Sequence, residues 1–319
     1  MFSITEIAAA TGGRIIGSSD GEVSGVSTDS RTVAAGELFV PLRGERFDGH
    51  DFIAPFSAAG GKVCLAEEEW LTGAELPGIR CCIAVRDTLR ALGDLAAAYR
   101  RRFDIPVIGV TGSNGKTTTK EMLSAIMATT GDGLKTSGNL NNLIGLPQML
   151  FTLTPEHRWS VLEMGMSEFG EIDRLAEIAA PAIGIITNAY PAHLATMGSV
   201  AGVARAKGEL FLRLPSGGRA VYNADDPLIA ACRTAPGVER IGFGLHGAEV
   251  TATGVKSYGT EGQAFTLELF GARAEVMLRA YGRHNIYNAL AAAAAADGAG
   301  ISLDGIVAGL SAFTPYDKR

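Results

Sequence analysis

Residues 107–120 read VIGVTGSNGKTTTK. A short apolar run, Pro106–Val110, ends in a glycine turn, and a helical stretch begins at Lys116. That order of strand, loop and helix brings backbone N–H groups around phosphate oxygens, because the loop and the helix start both present donors, and the helix dipole favours negative charge there. Gly112, Ser113, Asn114, Gly115, Lys116, Thr117 and Thr118 are therefore candidate nucleotide-binding residues. Lys116 would reach the β- and γ-phosphates, and the Thr117 hydroxyl would ligate magnesium. The fit to the general phosphate-loop pattern is incomplete, since Val110 stands where its first glycine should be, with Gly109 and Gly112 on either side. The bland alternative is an ordinary strand–turn–helix corner, which the full Gly-Lys-Thr in this context disfavours.

Downstream of the loop the pattern repeats. Apolar runs at Ser160–Met164, Ala182–Thr187 and Arg219–Tyr222 each end in polar residues and precede a helical stretch. Strands alternating with helices predict a parallel, doubly wound sheet, whose ligands sit at the carboxyl ends of the strands. The Gly112 loop, Glu163, Asn188 and Asn223 fall there. Phe265–Phe270 and Ala274–Leu278, flanking Gly271, predict a β-hairpin added to this domain, followed by a last helix over about 285–296.

Upstream, strand-like runs such as Leu38–Leu42 and Lys62–Leu65 alternate with glycine turns, which predicts a small α/β module over residues 1–84. Leu89, Leu92, Leu95, Ala96 and Tyr99 then recur at helical spacing within Thr88–Phe103. The predicted fold is thus α/β, with domains at 1–84 and 85–312 and a stub at 313–319. A chain of 319 residues is long enough for two cores. The net charge of −6 argues against a general nucleic-acid binder. Ser3 and Glu6 fit a capping box opening a short helix, not a targeting segment. The longest apolar run, Ala289–Ala296, is far too short for a membrane span. Cys64, Cys81, Cys82 and Cys232 have no metal or redox spacing and are expected to be cytosolic thiols in or near cores.

The loop variant TGSNGKTT resembles the Mur ligase family, which includes folylpolyglutamate synthetases. Other segments extend the likeness: TSGNLNNLIGLP at 136–147, Glu163-Met164-Gly165, NAYPAHL at 188–194, AKGEL at 206–210, NADDP at 223–227 and GRHNIYN at 282–288. At the N-terminus, STDSRTVAAGELFVPLRGERFDGHDF at 27–52 is similar to the family's UDP-sugar-binding module. The resemblance implies a cytoplasmic, monomeric, ATP- and magnesium-dependent ligase in cell-wall precursor synthesis. Its implied substrates are UDP-N-acetylmuramoyl-tripeptide and D-alanyl-D-alanine. It also implies a third, C-terminal domain, expected to be missing beyond Arg319, so that the chain alone would not complete ligation.

The resemblance assigns catalytic roles to Lys116, Glu163, His193 and Lys207, and magnesium to Thr117, Glu163, His193 and a carbamate of Lys207. It adds Asn285 as an adenine contact. Physical chemistry supports part of this: a transferring phosphoryl group needs Lys116 and magnesium against its charge, and Thr117 and Glu163 are hard oxygen ligands. By itself, His193 would read as a structural hydrogen-bonder and Lys207 as a solvated surface charge. Ser30, Arg31, Gly49 and His50 are candidates for the UDP part of the substrate, although Asp29-Ser30-Arg31 also reads as a polar turn. Asn139 and Asn142, with Asn141 between them, suit sugar or peptide groups. Three alternatives stand beside this reading: the ligase that adds the third residue of the peptide, a non-catalytic nucleotide-binding remnant, and a GTPase switch, which the lack of an NKxD-type motif disfavours.

Overall fold

The computed structural model describes residues 1–44 and 46–315, and it divides into two compact units. The expected stub at 313–319 therefore lies outside the described residues from 316 onward. The first unit is Met1–Arg102 together with Leu143–Thr152, and the second is Phe103–Asn142 with Leu153–Arg319. The sequence-based boundary at residue 84 falls short of this division. The helix Thr88–Arg100 packs on the helices Ile4–Thr11 and Gly145–Leu150, so its apolar face completes the core of the first unit.

In the first unit, Ser3 Oγ accepts the Glu6 N–H at 3.2 Å and Glu6 Oε2 accepts the Ser3 N–H at 2.7 Å, closing the predicted capping box. Five strands form one sheet in the order Arg14–Gly17, Cys81–Val85, Val63–Glu67, Leu38–Phe39, Val26–Ser27. Only the Arg14–Gly17 edge runs antiparallel. Phe39, Ile53, Phe56, Cys64, Ala66 and Cys82 make its core. Cys64, Cys81 and Cys82 are buried free thiols.

The second unit is built on a nine-stranded sheet. From one edge its strands are Leu134–Lys135, Ser160–Glu163, Val107–Thr111, Ile183–Ile186, Arg219–Asn223, Glu239–Phe243, Val250–Ser257, Gln263–Leu269 and Ala272–Leu278. Neighbours are parallel up to Val250–Ser257, and the last three strands are antiparallel. The predicted hairpin is present, joined at Phe270 and Gly271 with φ of 49° and 89°. Two consecutive positive φ values match the right-handed twist of the flanking strands. The hairpin continues an eight-residue strand, Val250–Ser257, that sequence reading did not find. Leu134–Lys135 and Glu239–Phe243 were missed as well, the first for its length and the second because Glu239 and Arg240 interrupt its apolar run.

Strand Val107–Thr111 lies between Ser160–Glu163 and Ile183–Ile186. The chain leaves it toward one edge and later returns on its other side, so a crevice opens at the carboxyl ends of these strands. Two helices brace the helix Lys116–Met127 that starts there. Arg283–Gly298, longer than predicted at both ends, presents Ala289–Ala296 as a fully buried run whose small side chains permit close packing. Leu303–Ala312, absent from the sequence reading, approaches so closely that a Cβ on Gly309 would lie 2.3 Å from the Ile126 Cα. No helix among the described residues is long and apolar enough to cross a membrane.

Candidate active site

The phosphate loop leaves its strand at Gly112, with φ of 152°, and enters the helix through Gly115, with φ of 82°. Both positions are closed to side chains: a Cβ on Gly112 would stand 1.8 Å from Thr187 Oγ1, and one on Gly115 2.3 Å from Asn288 Oδ1. The helix therefore begins at a left-handed N-cap residue, and the N–H groups of its first turn point out of the helix end toward the loop. Lys116 Nζ donates to the Gly112 carbonyl at 2.7 Å, folding the ammonium over the loop.

Glu163 ends the neighbouring strand and is buried. Its Oε2 accepts the Thr117 hydroxyl at 2.9 Å and its Oε1 accepts the Asn141 amide at 2.9 Å. Its N–H donates to Thr136 Oγ1 at 2.8 Å, and the Thr136 carbonyl accepts Lys120 Nζ at 2.7 Å. Lys120 is itself buried, in an ion pair with Glu121 Oε1 at 2.9 Å. A buried lysine one helical turn after Lys116 thus ties the phosphate-loop helix to the strand end that holds Glu163.

The loop residues Gly112 to Thr118, with Asn141 and Glu163, line one cavity of about 520 Å³ together with Asn142, His193 and Lys207. Lys207 is the unusual member. It sits on the helix Val200–Leu212, only 4% exposed, although its sequence neighbours Arg205 and Glu209 suggested a solvated charge. Burial, and then the Lys116 ammonium, bring its pKa down from 10.5 to about 7. At neutral pH much of this amine is uncharged. His193 reaches the same cavity from a left-handed position with φ of 51° and is exposed. Among the described residues, no group of three or more His, Cys, Asp or Glu is placed to hold a metal ion. Thr117 and Glu163 are the oxygen donors at hand, and magnesium commonly completes such a pair with substrate phosphates and water.

A second cavity, of about 830 Å³, adjoins the loop at Asn114 and Gly115. Asp225, Asp226, Tyr287, Asn288, Arg283, His284 and His246 line it with Thr187, Asn188 and Asn223. Asp225 Oδ2 accepts the Tyr287 hydroxyl at 2.7 Å and the Leu245 N–H at 2.7 Å, and faces His246 Nδ1 at 3.1 Å. Burial alone would raise the Asp225 carboxyl, but these partners outweigh it and hold it below the usual range. The segments NADDP and GRHNIYN and the strand-end Asn188 and Asn223 anticipate much of this wall, but not His246, nor the meeting of Tyr287 and His246 at Asp225, which comes only through folding.

Two expected residues of the second unit stand apart from both cavities. Asn285 and Asn139 line a third space, of about 680 Å³, beside Lys120, Lys135 and Thr136. Asn285 donates to the Tyr281 carbonyl at 2.9 Å and accepts from Asn288 Nδ2 at 3.1 Å, so its helix reaches the second cavity through Arg283, His284, Tyr287 and Asn288 instead.

In the first unit, Arg31 pairs with Asp29 at 2.6 Å, and Asp29 Oδ1 accepts the Arg31 N–H at 3.0 Å. The polar-turn alternative describes this geometry, with Ser30 at its centre and the Arg31 side chain 85% exposed. His50 differs from its expected role. It is buried, its Nδ1 meets Asp48 Oδ1 at 2.5 Å, its Nε2 accepts the Glu67 N–H at 3.0 Å, and its ring stacks on Trp70. Both ring nitrogens are engaged within the protein. Gly49 is packed so tightly that a Cβ would stand 2.5 Å from Leu42 backbone atoms. These two residues shape the turn that follows Asp48, with both His50 nitrogens held by protein partners.

A phosphate loop at the switch point of a largely parallel sheet, a strand-end carboxylate on the loop threonine and a buried lysine of lowered pKa together define a phosphate-loop α/β protein. The sequence matches the Mur ligase middle domain over residues 110–296 and the family's catalytic domain over 22–100. The chain belongs to the Mur ligase family. It is 42% identical over 291 residues to the UDP-N-acetylmuramoyl-tripeptide–D-alanyl-D-alanine ligase of Escherichia coli, covering 90% of this chain and 62% of that protein. The enzyme of the same name from Bacillus subtilis is 40% identical, over 91% of this chain and 62% of its own length. This chain therefore spans less than two thirds of those relatives. Among solved structures, MurF from Acinetobacter baumannii superposes with a TM-score of 0.91 at 36% identity, covering 99% of this chain and 69% of that one. MurF ligase from Thermotoga maritima in complex with ADP gives 0.80 at 29% identity, over 91% and 66%.

Proposed function

We propose that this chain provides the ATP- and precursor-binding functions of a ligase that joins D-alanyl-D-alanine to UDP-N-acetylmuramoyl-tripeptide. The observation that carries the reading is Lys207, buried beside the phosphate loop with an amine whose pKa is lowered to about 7. A nucleotide switch has no use for such a group, whereas an amine able to become a carbamate supplies a ligase with a further anionic oxygen pair. The names of the E. coli and B. subtilis relatives favour the dipeptide-adding reaction over addition of the third residue.

In this reading the precursor's terminal carboxylate oxygen attacks the γ-phosphorus of ATP, and the bond to the ADP oxygen breaks. The acyl phosphate then receives the amine of D-alanyl-D-alanine; phosphate departs with the C–O electrons and the amine loses a proton. Lys116 moves from the Gly112 carbonyl to the phosphates, where its charge stabilises the transferring group. Thr117 and Glu163 would hold magnesium, with His193 and the carbamate of Lys207 beside a second ion, and the metal would neutralise phosphate charge. Asn142 faces the same cavity and would orient the peptide end of the precursor. The second cavity, between Asp225 and Arg283, would take the adenosine. Ser30 and Arg31 remain the surface candidates for the UDP end.

The test is calorimetric titration of the chain with MgADP, and separately with UDP-N-acetylmuramoyl-tripeptide and -dipeptide. Binding of nucleotide, with the tripeptide preferred about tenfold over the dipeptide, is expected. A preference for the dipeptide would favour the ligase of the third residue, and binding of none of the three would refute the reading.

A further inference from the structure

Asn188 stands two residues beyond the strand Ile183–Ile186, and its side chain is aimed at the main chain of the phosphate loop. Its Oδ1 accepts the Asn114 N–H at 2.9 Å while its Nδ2 donates to the Asn114 carbonyl at 3.1 Å. The neighbouring Thr187 hydroxyl donates to that same carbonyl at 2.6 Å, and the Asn188 carbonyl accepts the Ser113 N–H at 3.1 Å. Four hydrogen bonds from one strand end thus converge on two consecutive loop residues, immediately before the left-handed Gly115 that starts the helix.

The chemistry required of position 188 is narrow. The side chain must offer one acceptor and one donor at the spacing of a backbone N–H and C=O, and a primary amide does so. A carboxylate of the same shape has only acceptors and would set an oxygen against the Asn114 carbonyl. The geometry points to Asn188 as a positioning residue for the phosphate loop: its amide locks the main chain at Asn114, so that the N–H groups from Gly115 to Thr118 are aimed together at the phosphates of the bound nucleotide. The inference rests on the nucleotide-binding role proposed above and assigns Asn188 no contact with the reacting atoms.

The test compares Asn188→Asp with the wild-type chain by MgADP titration at pH 8 and at pH 5.5, taking the ratio of affinities at each pH. Asp225, Asp226, His246, Arg283 and His284, which line the same cavity, are present in both proteins and cancel in the ratio. At pH 8 the variant is expected to bind about tenfold more weakly, from the loss of one hydrogen bond and an oppressed carbonyl. At pH 5.5 an aspartate of ordinary pKa, about 3.9, still carries its charge, so the ratio is expected to be similar at both pH values. Hydrogen exchange at the Asn114 amide is read in parallel and is expected to be slow in wild type and fast in Asn188→Asp.

Wild-type-like ADP affinity of the variant at pH 8 overturns the assignment. If the wild-type chain itself binds no ADP, the proposed function falls, and the Asn114 exchange rates still decide whether Asn188 holds the loop: equal rates in both proteins overturn it. Should Asn188→Asp not fold, Thr187→Val removes the second donor to the Asn114 carbonyl, together with its longer 3.4 Å contact to the Thr111 carbonyl. It is expected to weaken MgADP several-fold, and an unchanged affinity counts against the assignment.

Discussion

Replacing Lys207 with methionine should make the protein more stable and should do so by an amount that depends on pH. The lysine amine has a pKa of about 7 in the folded protein against an ordinary 10.5, chiefly because it is buried. Between those values the unfolded chain holds a proton that the folded chain lacks, so wild-type stability rises with pH across that window. Each pH unit is worth about 1.4 kcal/mol, so the penalty for burying this amine is about 4 kcal/mol at pH 7 and about 2 kcal/mol at pH 9. Below pH 7 the folded protein takes up the proton as well, and the penalty stays at its full value. Methionine has a similar length and no charge, so its packing difference adds an offset that does not vary with pH.

The advantage of Lys207→Met over wild type should therefore shrink by about 2 kcal/mol from pH 7 to pH 9. Urea unfolding in buffers freed of carbon dioxide measures it, since carbamate formation would change the charge of the side chain. The chain has two tryptophans, so a Trp70→Phe background leaves Trp159 to report on the unit that contains Lys207. A stability difference that is constant from pH 7 to pH 9 would show that the amine titrates as an ordinary lysine. The argument for a neutral nucleophile at this site would then fail.

Two further substitutions separate binding chemistry from support. Glu163→Gln keeps the shape but removes the anion facing Thr117 and Asn141, so magnesium should no longer strengthen ADP binding, whereas in wild type it should do so by about tenfold or more. An equal magnesium effect in both proteins, measured by calorimetry, removes Glu163 from the metal site. Lys120→Met leaves Glu121 and the Thr136 carbonyl without their buried ammonium and should cost about 3 kcal/mol in urea unfolding. A loss below about 1 kcal/mol would mean that this lysine is not the tie between the helix and the Glu163 strand.

The sequence by itself determined the class of fold and the principal binding element. Apolar runs of strand length alternating with helical periodicity allow little other than a parallel sheet, and Gly112 to Thr118 then fall at its carboxyl edge. Those are local properties, written in residues that are neighbours along the chain. Glu163, His193 and Lys207 were also named, but as strand-end and helical positions whose use depended on family likeness. Only the tertiary structure decided which side chains are buried. Lys207 looks like any surface lysine until its helix is laid against the sheet, and its altered proton affinity comes from that desolvation and from Lys116, ninety-one positions away in the chain.

The same reasoning explains the expectations that moved. His50 carries the chemistry of a ligand-binding residue, yet both of its nitrogens are taken by Asp48 and Glu67, and Glu67 is seventeen residues distant. The helix Thr88–Arg100 was read correctly as a helix, but its place in the first unit depends on packing against Gly145–Leu150, a segment that follows the phosphate loop in sequence. Residue type and spacing specify which secondary elements form and where polar groups gather. Which of those groups face a cavity, and which are used up holding the fold together, depends on contacts between distant segments, and no local pattern records them.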